Sequence, residues 1–389
     1  MLPESIYLDY NSTTPVLPEV FVSMKPWLSD CFGNPSSQHA HGKAAHNAIE
    51  LARNHLADLI GAKPSEIVFT SGGTEASNLA LRGTYLSTNT HGFFHFFSTY
   101  RLYMSPAEHP ATLETALAMQ ASGIRIRWLP LNQEGRIDLS KARSILRKGP
   151  GLLTTLVANN ESGTIQPIQE LSALCKVKNL ILHADGSQAV GKIPCNVDHL
   201  HCDLLTIAGH KMGAPQGIGA LYIRSGISIV PLHHGGGQER GIRPGTEPVA
   251  LIVGLGEAAR VALNAMALLQ PKLASLRDLL WHLLHKELNH SILRISHTTH
   301  CLPGTLFISL READGSEVLK QIPELSASTG SACHDGLHQS RLLRAMGINQ
   351  EWHRGTIRFS LGLKSSEDEI RWAAKAVSRV YHSIKKTGE

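Results

Sequence analysis

A chain of 389 residues with 42% apolar and 18% charged side chains can bury a large core and points to two globular domains, which excludes a disordered or fibrous protein. Its 37 basic and 32 acidic residues give a formal charge of +5 spread along the chain, which excludes a dedicated nucleic-acid surface and leaves anionic small ligands. Six cysteines without a Cys-x-x-Cys pair, and 22 scattered histidines, point to neither a disulfide framework nor a metal site.

The chain opens Ile6-Tyr7-Leu8-Asp9-Tyr10 with no basic-then-apolar leader, which predicts no secretory or mitochondrial signal and, with unpaired cysteines, a cytoplasmic protein. Residues 41–60 have helical periodicity and stop at Gly61, and 66–70 read as the strand that follows. Helices are then predicted over 74–86, 138–146 and 168–178, and strands over 94–104, 124–131, 152–158, 180–185 and 204–208. Such alternation specifies an α/β fold with a mostly parallel sheet covered on both faces.

Residues 246–288 are predicted helical with a break near Pro271. Their most apolar stretch carries Glu257, Arg260 and Asn264, so it reads as a buried helix and not a membrane span. Strands at 292–296, 305–310 and 356–360 and a terminal helix over 366–385 then make a smaller α+β domain.

Candidate site residues follow the same order. Ser71-Gly72-Gly73-Thr74-Glu75 joins a strand to a helix, either as a phosphate cradle of free N–H groups or as a tight turn with Thr74 as cap. His109, before Pro110, is a stacking or proton-shuttling imidazole, or a structural one. Asp185 ends a strand where ligands of open α/β sheets bind, and with Gln188 it suits a protonated pyridine nitrogen and a phenolate oxygen, or else begins an ordinary turn. Lys211 ends the next strand, where partial burial makes its amine easy to deprotonate, and His210 beside it contacts a phosphate or caps the strand. Cys333, in the small-residue run Ser328-Thr329-Gly330-Ser331-Ala332-Cys333-His334, is a reactive thiolate if exposed and inert if buried. Arg358, inside a strand, clamps an anion or snorkels to solvent.

Together with Gly33-Asn34-Pro35-Ser36-Ser37, Asn159-Asn160-Glu161-Ser162-Gly163, Gly235-Gly236-Gly237-Gln238-Glu239-Arg240 and Arg243-Pro244-Gly245-Thr246, these motifs span nearly the whole chain. In them the chain resembles the class V aminotransferase-fold cysteine desulfurases of the NifS/IscS kind, with selenocysteine lyase a close relative. The resemblance implies a fold type I enzyme with pyridoxal 5'-phosphate on Lys211, its phosphate held by Gly73, Thr74, His210 and a Thr246 from the partner subunit of a homodimer. It implies Asp185 on the pyridine nitrogen, Gln188 and Asn160 near the phenolate oxygen, and His109 stacked on the ring and moving protons with Lys211. Asn34 and Arg358 then bind the substrate carboxylate, and Cys333 takes the sulfur of L-cysteine as a persulfide for a sulfur-acceptor protein, releasing alanine. By the same match residues 15–255 form the large cofactor-binding domain, and 1–14 with 256–389 the small domain that carries the cysteine loop.

Three departures stand against the pattern. Ala208 replaces a serine common in these enzymes two residues before the histidine of the His-Lys pair, which removes one phosphate hydroxyl. The run His334-Asp335-Gly336-Leu337-His338-Gln339-Ser340 lacks the usual Pro-Ser, and its Cys-His start is similar to selenocysteine lyase. The segment 381–389 lacks the tail through which IscS-like enzymes dock an iron–sulfur scaffold. L-selenocysteine is therefore the alternative substrate, and a non-catalytic partner of a sulfur-transfer assembly is the reading from another class. The presence of Lys211, Asp185 and Cys333 disfavours the latter.

Overall fold

The computed structural model describes residues 5–89, 100–330 and 340–387. Seven strands form the main sheet in the order Ile67–Thr70, Gly219–Ile223, Leu204–Ala208, Ile181–Asp185, Gly151–Leu156, Arg101–Met104, Arg125–Trp128. All neighbours run parallel except Gly219–Ile223, which is antiparallel to both of its flanking strands. Side chains alternate between faces along a strand, so Leu153 and Leu205 enter one core while Leu152 and Leu204 enter the core on the other face. Both faces of the central strands are covered, which is why Gly151–Leu156 and Leu204–Ala208 read as continuous runs, whereas the edge strand Arg125–Trp128 is largely exposed.

Helices begin and end where local chemistry directs. Ala40–Ile60 stops at Gly61 in the left-handed region (φ 65°), and Asp138 caps Leu139–Ile145 by accepting from the N–H groups of Ser140 and Lys141. Ile168–Lys178 falls where its periodicity put it. The helix expected over 74–86 begins instead at Gly73, behind an N-cap at Gly72, and takes a π turn at Leu79–Gly83 before continuing as Thr84–Asn89. Of the strand expected over 94–104, Arg101–Met104 is present and 94–99 lie outside the described residues.

The break expected near Pro271 does not occur: Val249–Leu288 is one helix of 40 residues with Pro271 inside it. An interior proline costs about 3 kcal/mol, whereas a buried leucine contributes about 1.5–3 kcal/mol. Ile252, Leu255, Ala258 and Ala259 enter the main-sheet core, while Leu273, Leu276, Leu280, Leu284 and Leu288 enter a second core, so packing on both sides of the proline outweighs it. The same burial accounts for a helix apolar enough by composition to cross a membrane. Gly256 permits its close crossing with Ala40–Ile60, since a Cβ there would lie 2.4 Å from the Ala52 Cα.

The second core is built on the antiparallel strands Thr356–Ser360, Thr305–Leu310 and Ile292–Arg294, covered by Glu367–Thr387. The N-terminal strand Ile6–Tyr7 pairs with Leu325–Ser326, and Ile6 and Leu8 pack in this core with Ile308, Ile357 and Val377. Residues 9–14 then pass along the junction towards the main sheet: Asp9 bridges to Ser360, and Thr14 donates to the His210 carbonyl.

Candidate active site

The carboxyl ends of adjacent parallel strands set the site. Asp185 lies opposite Leu156 on one side and Thr206 on the other, and the chain after Thr206 turns at Gly209–Lys211. This register brings together Asp185 and Lys211, 26 positions apart in sequence. They line one cavity of about 190 Å³ with Ser12, Gly73, Thr74, His109, Asn160, Ser187, Gln188, Ala208 and His210.

Asp185 is 2% exposed, and its Oδ1 accepts from the Ser187 N–H at 2.9 Å. Lys211 is also buried. Loss of solvent lowers its pKa, with Asp185 opposing the shift and Arg358 adding to it. His109 accepts from the Ala111 N–H at 3.1 Å through Nδ1, which caps the helix Pro110–Ala121 and leaves the proton of the neutral ring on Nε2. Burial lowers its pKa as well, with Asp185 opposing the shift and Lys211 adding to it, which favours the uncharged ring. His210 is lowered by burial and by Lys211, and its Nδ1 lies 3.1 Å from Thr13 Oγ1.

These residues fit pyridoxal phosphate. A buried carboxylate calls for a cationic partner, which a protonated pyridine nitrogen would supply to Asp185. The start of the helix at Gly73 and Thr74 offers backbone N–H groups for a phosphate. Gly73 keeps that approach clear, since a Cβ there would lie 3.0 Å from Ser187 Oγ and 3.3 Å from the Ala208 Cβ. Gln188 is 1% exposed and donates from Nε2 to the Asn11 carbonyl at 2.8 Å.

The other expected residues stand apart from this cavity. Arg358 borders it through two lining residues, with Nη2 2.8 Å from Ser12 Oγ and Nη1 2.8 Å from the Asn160 carbonyl, and it pairs with Asp9. Asn34 is exposed, and its Oδ1 accepts from the Ser36 N–H. Thr246 lines a neighbouring open cleft of about 860 Å³, which Thr74 shares. The loop carrying Thr246 is tied to the start of the helix Gly73–Asn78 by Arg243 Nε at 2.9 Å from Glu75 Oε1. Cys333, with His334 to Gln339, lies outside the described residues. The two described ends of its segment meet at Glu161, next to Asn160: Ser340 Oγ donates to Glu161 Oε2 at 3.1 Å, and a Cβ on Gly330 would lie 3.2 Å from that oxygen.

A family model of class-V aminotransferases matches residues 6–372. The chain belongs to the class-V aminotransferase family. Within this family it is 39% identical over 387 residues to the cysteine desulfurase IscS of Dictyoglomus turgidum, covering 99% of this chain and 96% of that protein. Among solved structures, a NifS-like protein superposes with a TM-score of 0.90 at 31% identity, covering 97% of this chain and 99% of its own. SspA, solved in complex with cysteine, superposes at 0.77 with 35% identity, covering 91% of this chain and 98% of its own. The chain is thus a pyridoxal-phosphate enzyme of the cysteine desulfurase group.

Ser12 and Ser187 line the cavity although the sequence reading did not single them out. Ser187 lay in plain sight between Asp185 and Gln188. Ser12 sits in the Tyr7-Leu8-Asp9-Tyr10-Asn11-Ser12 run, whose approach to the cavity depends on its pairing with the C-terminal strands.

Proposed function

We propose that this class-V enzyme takes L-cysteine and leaves its sulfur as a persulfide on Cys333, for transfer to an acceptor protein. The observation that carries the reading is the one cavity in which a buried lysine and a buried carboxylate meet beside His109. Bound pyridoxal phosphate supplies an electron sink for cleavage at the substrate carbons. In the reaction the Cys333 thiolate forms an S–S bond to the substrate sulfur while the Cβ–S bond breaks, and the electron pair stays on the carbon fragment. Proton uptake there gives alanine, so the sulfur is oxidised, the carbon reduced, and no outside redox reagent is needed. Lys211 and His109, both easily deprotonated, are the groups to move protons at the substrate carbons. The bond from Ser340 to Glu161 and the close approach of Gly330 to the same carboxylate, beside the cavity-lining Asn160, support a thiol acting at this site.

Thr246 and Thr74 share an open cleft, yet in its own chain Thr246 does not line the cofactor cavity, which supports a second copy that completes the phosphate end. The free thiols of Cys31, Cys175, Cys195, Cys202 and Cys301 support a reducing, cytoplasmic setting. The decisive assay supplies pyridoxal phosphate, reductant and either L-cysteine or L-selenocysteine, and measures alanine with sulfide or selenide. Cysteine desulfuration requires turnover of L-cysteine that Cys333→Ala abolishes. A strong preference for selenium that survives this substitution would replace it with the lyase reading.

A further inference from the structure

Lys192 lies four residues beyond Gln188, among residues that border two other pockets, and does not itself line the cofactor cavity. Its Nζ donates to Gln188 Oε1 and to Asn11 Oδ1, each at 3.0 Å. A protonated amine only donates, so both carboxamides must turn their oxygens towards it and their nitrogens away. Gln188 accordingly donates from Nε2 to the Asn11 carbonyl at 2.8 Å, and Asn11 from Nδ2 to Thr305 Oγ1 at 3.0 Å. A carboxamide nitrogen carries two hydrogens, and the Asn11 carbonyl occupies one of those on Gln188.

We propose that Lys192 is a positioning residue that fixes the Gln188 carboxamide with its nitrogen as a donor towards bound pyridoxal phosphate. Without the amine, the Asn11 carbonyl alone holds the carboxamide's orientation, and a turn that brought its oxygen towards the cofactor would repel the phenolate oxygen. The role does not require the positive charge. Burial, with Lys211 and Arg358 nearby, lowers the Lys192 pKa to about 7, and a neutral amine still has a hydrogen for each of its two acceptors. Lys192 also ties the 9–14 segment to the turn that follows the main-sheet strand Ile181–Asp185, and the Asn11 it holds is bonded in turn to Thr305 of the second sheet.

The inference rests on the cofactor assignment, and its test separates the two. The holoenzyme without substrate is titrated with pH while the visible band of the cofactor is followed, and pyridoxal phosphate affinity is measured by equilibrium dialysis. Wild type, Lys192→Met, Gln188→Ala and the double variant are compared. Lys192→Met is expected to shift the titration midpoint and to weaken cofactor binding about tenfold, the scale of one hydrogen bond to a charged group. In the Gln188→Ala background it should add nothing, because both changes remove the same contact. An equal shift with and without Gln188 overturns the proposal, since the amine would then act through its charge. Lys192→Gln keeps N–H donors without the charge and decides the matter alone if Lys192→Met does not fold. A midpoint near wild type supports the proposal, and one displaced equally in the Gln188→Ala background overturns it. A wild-type chain that binds no pyridoxal phosphate overturns the cofactor assignment and this inference with it. Failure confined to the variants leaves the assignment standing.

Discussion

Arg358 Nη2 lies 2.6 Å from Asp9 Oδ1, joining the strand Thr356–Ser360 to the N-terminal segment that crosses the site. The pair is largely withdrawn from water, and Arg358 has one buried N–H, at Nε, without a partner among the described residues. An incoming carboxylate would compete with Asp9, Ser12 and the Asn160 carbonyl for the guanidinium, which also keeps that unpartnered N–H. Arg358→Lys, which loses the planar fork, is therefore expected to raise KM for cysteine at least tenfold with a smaller change in kcat. Asp9→Asn should lower the melting temperature, because it leaves a buried charge uncompensated, without raising KM. Steady-state kinetics beside thermal melts test this, and a KM unchanged in Arg358→Lys removes Arg358 from substrate binding.

Ala208 and Ser187 stand together at the phosphate end, both within 3.3 Å of where a Gly73 side chain would begin. If the phosphate sits at Gly73, the Ser187 hydroxyl is placed to stand in for the one absent at 208. Ala208→Ser should tighten pyridoxal phosphate binding about tenfold, the scale of one added hydrogen bond to a charged group. Ser187→Ala should weaken it, and by less in the Ala208→Ser background. Equilibrium dialysis of the two variants and the double variant reads both effects, and additive changes would show that the hydroxyls act independently.

Lys211 and Asp185 were legible as a pair because adjacent parallel strands deliver their carboxyl ends to one edge, a relation that alternating helices and strands announce. The fold was legible for the same reason. Lys192 and Ser12 were not, since their importance comes from contacts between distant segments: Asn11 meets Gln188 across 177 positions. Pro271 misled because a local rule forbids what two cores together enforce. Gly219–Ile223, the antiparallel strand, is apolar on both faces, and periodicity alone does not distinguish such a run from a buried helix.

Asp185 raises the Lys211 pKa while burial lowers it, so the two effects can be separated. Asp185→Asn should move the Lys211 pKa down, making the amine of the apoenzyme more reactive near neutral pH. The rate of Lys211 modification by an amine-selective reagent, followed by peptide mass spectrometry against pH, should show a midpoint below that of wild type. Cofactor affinity should fall in the same variant, because the pyridine nitrogen loses its anion. A midpoint that rises would contradict the electrostatic coupling of the pair.

Glu108 is buried between Ser105 Oγ, which donates to Oε1 at 2.7 Å, and the Leu156 N–H, which donates to Oε2 at 2.9 Å. Burial, with Asp185 adding to it, raises its pKa to about 8 despite these bonds. Because the folded value lies above the unfolded one of about 4.3, the native state holds the extra proton between them. Stability from this group is therefore complete below about pH 4 and declines as pH rises to about 8, by at most about 1.4 kcal/mol per unit. Glu108→Gln should remove that slope. Its carboxamide oxygen can still accept from Leu156, and its nitrogen can donate to Ser105, whose hydroxyl reverses role. Urea unfolding of the apoprotein at intervals from pH 5 to 8.5 checks this: wild type should lose stability relative to the variant as pH rises, and parallel curves would place the Glu108 titration elsewhere.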